Sequence, residues 1–227
     1  MLGVKWCFNR PSGIWQLRLS SNLTKESPPE ITSKKISFAD HSCRSPHIIV
    51  HQGRSFLVWF GAEVGGAHIA CTRMYQHEIT LDDSKDLGIP DEAPFVGIID
   101  TPGSDGFPGL YPAYTLPQSA SIQIPGSSQT YILLHSQWGS RPTVLRISQI
   151  DGSVKNLTPA GDDLCSWSVL TTNGSDSVIC SRSSPSIPYE IMLGKFNSDE
   201  EVTWTLLEKP RLVESGMPFS FSFKLSY

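Results

Sequence analysis

Apolar residues along this chain come in short alternating runs, and a Gly, Pro, Asn or Asp cluster ends almost every one. The clearest unit is Thr130–Pro159, TYILLHSQWGSRPTVLRISQIDGSVKNLTP. Thr130–His135 is an aromatic and branched run. Punctuation at Gly139–Pro142 divides it from a second run, Thr143–Gln149, and Asp151-Gly152 turns the chain into a third, Val154–Leu157. In the second run Val144, Arg146 and Ser148 share one face, and Leu145, Ile147 and Gln149 the other. A period of two belongs to a strand with one face turned inward. Asp-Gly between such runs is a hairpin signal, because Gly accepts positive φ without steric cost. Three strands cannot bury their own faces, so the unit must stack on others like it.

The same grammar runs through the rest of the chain. Val4–Phe8 and Ile14–Leu19 are divided by Pro11-Ser12-Gly13, and Ser27-Pro28-Pro29-Glu30 breaks the chain before Ile31–Phe38. Ser45-Pro46-His47 opens a second unit, with strands predicted at Ile48–Val50, Phe56–Ala62, His68–Met74 and Ile79–Leu81, and an edge strand at Phe95–Asp100. Residues 100–117 are too rich in Gly and Pro for a helix or a long strand and read as a surface excursion packing Phe107, Tyr111 and Tyr114 locally. Ser119–Ile124 begins the unit already described. A last group follows: Cys165–Leu170, an Asn173-Gly174 turn, Ser177–Arg182, Tyr189–Lys195 and Val202–Leu207.

Helical periodicity is not sustained anywhere. Groups of about four strands, each about 45–55 residues long, mark a β-propeller. A β-sandwich also uses short strands but does not call for the grouping. The expected fold is therefore all-β: a partial β-propeller of three to four antiparallel four-stranded blades. Its divisions would be an incomplete blade over 1–40, a blade over 41–100, the excursion over 101–118, blades over 119–160 and 161–210, and a divergent tail over 211–227.

The 227 residues carry a net charge of −4, and no basic run exceeds two residues. That composition excludes a nucleic-acid surface, which needs a basic stripe. No stretch approaches the roughly 18 apolar residues of a membrane span, and Lys5, Asn9 and Arg10 interrupt any apolar start of the signal-peptide kind. Cys7, Cys43, Cys71, Cys165 and Cys180 are odd in number, dispersed and without a C-x-x-C pair. They read as buried free thiols in a reducing compartment, so a cytoplasmic location is expected. Glycosylation-like triplets at Asn22, Asn156 and Asn173 arise readily by chance in a Ser/Thr-rich chain.

No catalytic constellation stands out. Gly53-Arg54-Ser55 lacks the closing Gly of a nucleophile elbow. His77-Glu78 has no second His at the spacing of a zinc helix. Asp82, Asp83 and Asp86 lack the alternating oxygen ligands and the terminal Glu of a calcium loop. His41, His47 and His51 are close enough in sequence to raise a metal site, although strand-end histidines satisfied by backbone are commoner. His68, His77 and His135 lie elsewhere. The tryptophans, Trp59, Trp138, Trp167 and Trp204 among them, read as packing between blades. No catalytic, cofactor-binding or metal residue is assigned, and no cofactor is expected.

Three segments resemble a known family in the right order: LGVKWCFNRPSGIWQLRL (2–19), SQIDGSVKNLTPAGDDLCSWSVL (148–170) and SRSSPSIPYEIMLGKF (181–196). They are similar to the propeller portion of acylaminoacyl-peptidases (acylamino-acid-releasing enzymes) of the prolyl oligopeptidase clan, in its plant-like form. The resemblance implies an N-terminal propeller joined to a C-terminal α/β-hydrolase domain. It also implies a serine exopeptidase that releases N-acylated amino acids from short peptides by a Ser-His-Asp triad. The triad would belong to the hydrolase domain, which this chain would not reach, so no triad residue is carried over. The expectation is a fragment, inactive alone, that contributes substrate gating. Its partners would be N-acylated peptides through the full-length enzyme and copies of the parent in a homo-oligomer, with no nucleic acid and no membrane. The alternative is a stand-alone propeller-like protein-interaction module.

Overall fold

The computed structural model describes residues 11–19, 30–38, 40–65, 67, 70–79, 93–113, 115–161, 164–198 and 200–210. Among them there is no helix. Four antiparallel sheets of two to four strands follow one another along the chain, the organisation of a partial β-propeller. Each sheet is a simple meander in which sequence neighbours pair. The chain divides into two compact units, 1–116 with 149–153, and 117–148 with 154–227.

In the first unit β1 (Trp15–Leu19) pairs with β2 (Ile31–Lys35), and β3 (His41–His51), β4 (Arg54–Glu63) and β5 (Arg73–Ile79) form a three-stranded sheet. One face of that sheet and the ends of the β1–β2 hairpin share a core of Ile14, Ile36, Cys43, Leu57, Trp59, Tyr75 and Ile79, with Phe38 against it. Trp59 and Tyr75 stack at 5.5 Å between centroids and 16° between planes. Gly61 makes room for this, since a Cβ there would stand 2.7 Å from the Tyr75 ring.

Several predicted strands move. β3 is far longer than Ile48–Val50, and Pro46 lies inside it. Its ladder slips between Arg44 and His47, and Ser45 takes a φ of 57°. A bulge leaves one residue unpaired, so a proline without an N–H is tolerated there. The strand expected at His68–Met74 starts only at Arg73, because Thr72 bridges Leu110 of the excursion instead of pairing with β4. Phe95–Asp100 shrinks to one bridge, Val96 with Met74. Pro94 lacks a donor and Gly97 offers no side chain to pack, so the ladder does not extend. Val4–Phe8, Leu81, the acidic passage 82–86 and Tyr114 lie outside the described residues.

In the second unit β6 (Ser121–Gln123), β7 (Thr130–Trp138), β8 (Arg141–Ser148) and β9 (Val154–Asn156) make one four-stranded sheet. β10 (Ser166–Thr172), β11 (Ser177–Ser184), β12 (Ile187–Phe196) and β13 (Val202–Glu208) make the next. The expected four-strand grouping is thus met by these two sheets, whereas the described sheets of the first unit hold two and three strands. Ile122, Tyr131, Leu133 and Val144 of one sheet meet Trp167, Val178, Cys180 and Met192 of the other in a continuous buried cluster. Alternation explains the choice: in each strand the residues one step away point to the opposite face. Asn173 shapes the β10–β11 turn, its Oδ1 accepting from the N–H groups of Ser175 (2.9 Å) and Ser177 (3.0 Å).

Candidate functional site

The histidines raised as a metal site all sit on β3, and the strand separates them. At about 3.3 Å rise per residue, His41 and His51 lie about 33 Å apart along it, and His47 about 20 Å from His41. His47 Nδ1 is 3.2 Å from the Ser45 carbonyl, and His51 is buried. Among the described residues no three His, Cys, Asp or Glu side chains converge. Gly53 lies in the β3–β4 turn and Arg54 and Ser55 begin β4, where Arg54 pairs with Glu78 across the sheet. His77 stands on β5 with its Nε2 buried and without a partner among the described residues, and burial lowers its pKa.

Sequence reading missed one arrangement of the catalytic type. Asp40 Oδ1 lies 2.8 Å from His41 Nδ1, and His41 Nε2 lies 3.2 Å from the Tyr75 hydroxyl. A carboxylate, an imidazole and a hydroxyl in series is how a nucleophile is activated. The hydrogen bond from His41 holds the Asp40 carboxyl below its usual range. Here, however, the hydroxyl belongs to a tyrosine that is 1% exposed and stacked on Trp59. No substrate carbonyl can reach it, so the relay orients the ring cluster of Phe38, His41 and Tyr75. The Asp-His pair is adjacent in sequence, but nothing in the sequence signals Tyr75.

The buried thiols and indoles are packing elements too, whereas Trp15 is exposed. Cys43, Cys165 and Cys180 are buried, Cys71 is half-buried, and none of the four is in a disulfide. Burial pushes the Cys180 thiol far above its ordinary value and raises that of Cys43. Such thiols are not nucleophiles near neutral pH. Trp167 and Trp204 lie 4.7 Å apart, and Trp204 Nε1 donates to the Leu157 carbonyl at 3.0 Å. Beside the β1–β2 hairpin a groove of ≈ 320 Å³ is lined by Gln16, Arg18, Thr32, Ser33 and Lys34. It offers positive charge and hydroxyls, without a general base.

What the geometry presents is a framework of stacked sheets, and comparison with known proteins gives that framework a family. The model of the acylamino-acid-releasing enzyme N-terminal domain matches residues 1–215. The chain belongs to that family. An acylamino-acid-releasing enzyme of Arabidopsis thaliana is 28% identical over 224 residues, covering 92% of this chain and 27% of the relative. Acylamino-acid-releasing enzyme 1 of Oryza sativa subsp. japonica is 28% identical over 204 residues, covering 82% and 24%. The chain spans about a quarter of the length of these curated relatives. An acylamino-acid-releasing enzyme N-terminal domain built of antiparallel sheets accounts for the buried cysteines and tryptophans, which pack the sheets, and for the Asx turns, which join their strands.

Proposed function

We propose that this chain acts as a propeller wall of an acylaminoacyl-peptidase, a cytoplasmic serine exopeptidase that releases N-acylated amino acids from short peptides. In this reading it limits access to the nucleophile and supplies no triad residue. The observation that carries the proposal is the family match over residues 1–215, beside His41, His47 and His135, which are engaged by the sheets that hold them. His41 abuts a buried tyrosine, His47 a carbonyl and His135 a backbone amide. A rigid sheet stack with Gly/Pro loops can sort peptides by size while doing no chemistry.

The test is hydrolysis of an acetyl-alanyl chromogenic substrate by the purified chain. No turnover is expected above the uncatalysed rate, and turnover that survives further purification contradicts the proposal.

A second reading, a stand-alone protein-interaction module, is favoured by one feature. Trp15, Leu17 and Leu19 of β1 and Ile31 of β2 are each more than half exposed, and register places Leu19 opposite Ile31 on one face. Exposed apolar rows of this kind mark surfaces that bind another chain. Co-purification of a partner that persists in high salt, and is lost with Leu17→Lys, would select this reading.

A further inference from the structure

In the second unit the two sheets are joined by more than apolar packing. β10 is the edge strand of its sheet, and its outward backbone groups have to find partners beyond the ladder. Thr172 N–H donates to the Ser119 carbonyl at 3.2 Å, and Thr172 Oγ1 donates to the Ser121 carbonyl at 2.8 Å. Gln123 N–H donates to the Gly174 carbonyl at 3.0 Å. One edge group is met differently. Val169 N–H donates to the imidazole Nδ1 of His135, on β7 of the facing sheet, at 3.2 Å.

An imidazole nitrogen accepts only while it carries no proton. This bond therefore requires neutral His135 with its hydrogen on Nε2. From this geometry we infer that His135 is a proton-operated latch between the two sheets: neutral, it accepts the Val169 amide and holds β10, and protonated, it lets β10 go. Protonation would turn the acceptor into a donor aimed at a donor. The Val169 N–H would then be left unpaired at a buried position, in a ladder that already slips between Val169 and Thr171.

The surroundings do not rescue the protonated ring. Leu133, Val144 and Val169 around it are buried and apolar. β10 and β6 carry no titratable side chain. On β8, Arg146 is engaged by Glu200, and Arg141 donates to the Cys165 carbonyl. On β11, Arg182 is paired with Glu190, and Cys180 is a buried thiol. Among the described residues no carboxylate of these elements faces His135 to stabilise a positive charge. Consistently, burial lowers the ring's pKa from the ordinary 6.5. The latch is thus closed above that value and opens under acid.

The test is amide hydrogen exchange on the whole chain, compared between about pH 7.5 and the acid side of the His135 titration, located by the ring's nitrogen-15 shifts, as protection factors, which remove the intrinsic pH dependence of exchange. Val169 is expected to lose protection about tenfold more than Ile147, which pairs with Ile132 of β7 on one side and Val154 of β9 on the other. His135→Asn retains an acceptor oxygen that does not titrate, and Val169 protection in it should stay constant. Equal losses at Val169 and Ile147, no loss at Val169, or the same loss in His135→Asn would each overturn the inference. Should the variant fail to fold, nitrogen-15 spectra of the wild-type ring decide. Near neutral pH an unprotonated Nδ1 supports the latch, and a hydrogen on Nδ1 refutes it.

Discussion

Gly152 shows how much one residue can fix. It follows Asp151 in the turn after β8 with a φ of 70°, and a Cβ there would strike the Phe95 carbonyl oxygen. Strain and collision act together, so Gly152→Ala should destabilise the first unit by more than about 1 kcal/mol, read as a lowered urea midpoint. The Asp-Gly pair was legible as a turn, but its approach to Phe95 was not, because the two are far apart in sequence. Trp167 is the comparable anchor of the second unit: fully buried and packed on Trp204. Trp167→Ala should cost about 3–5 kcal/mol by equilibrium unfolding. His77 gives a pH test in the first unit. Burial depresses its folded-state pKa below 6.5, so the unfolded chain binds the proton more readily. Stability is full above the unfolded value and falls as pH drops below it towards the folded value. His77→Gln should flatten that part of the pH profile of the urea midpoint.

At the scale of elements, alternation and turn chemistry located the strands of the second unit closely. Thr143–Gln149 became Arg141–Ser148, and Ser177–Arg182 became Ser177–Ser184. Long-range pairing defeated the same reasoning elsewhere. Thr72 turned to Leu110, and Pro46 was absorbed by a bulge instead of opening a unit. The relay from Asp40 through His41 to Tyr75 was hidden for the same reason, since only the β4–β5 register brings Tyr75 to that end of the sheet. Gly194 is a place where sheet packing leaves no room. A Cβ there would lie 2.7 Å from the Trp204 ring and 2.8 Å from a Val178 methyl. Gly194→Ala should therefore overpack the β12–β13 face and lower stability by about 1–3 kcal/mol.

For the whole molecule, the repeated grouping of strands pointed to propeller sheets and the three matching segments pointed to a family, while chemistry was legible only as a missing pattern. In the structure His41 bridges the Asp40 carboxylate and the buried Tyr75 hydroxyl, His47 lies against the Ser45 carbonyl, and His135 accepts from the Val169 amide. The apolar row of Trp15, Leu17, Leu19 and Ile31 has a consequence at this scale, because an uncovered sheet face invites association. Trp15→Ser combined with Leu17→Lys should reduce light scattering at high concentration while leaving the unfolding midpoint of the buried core nearly unchanged. The central claim, a family member that shapes access and does not cut, is tested most directly by incubating the chain with a fluorophosphonate and weighing it intact. An unchanged mass is the predicted result, and a stoichiometric serine adduct would contradict it.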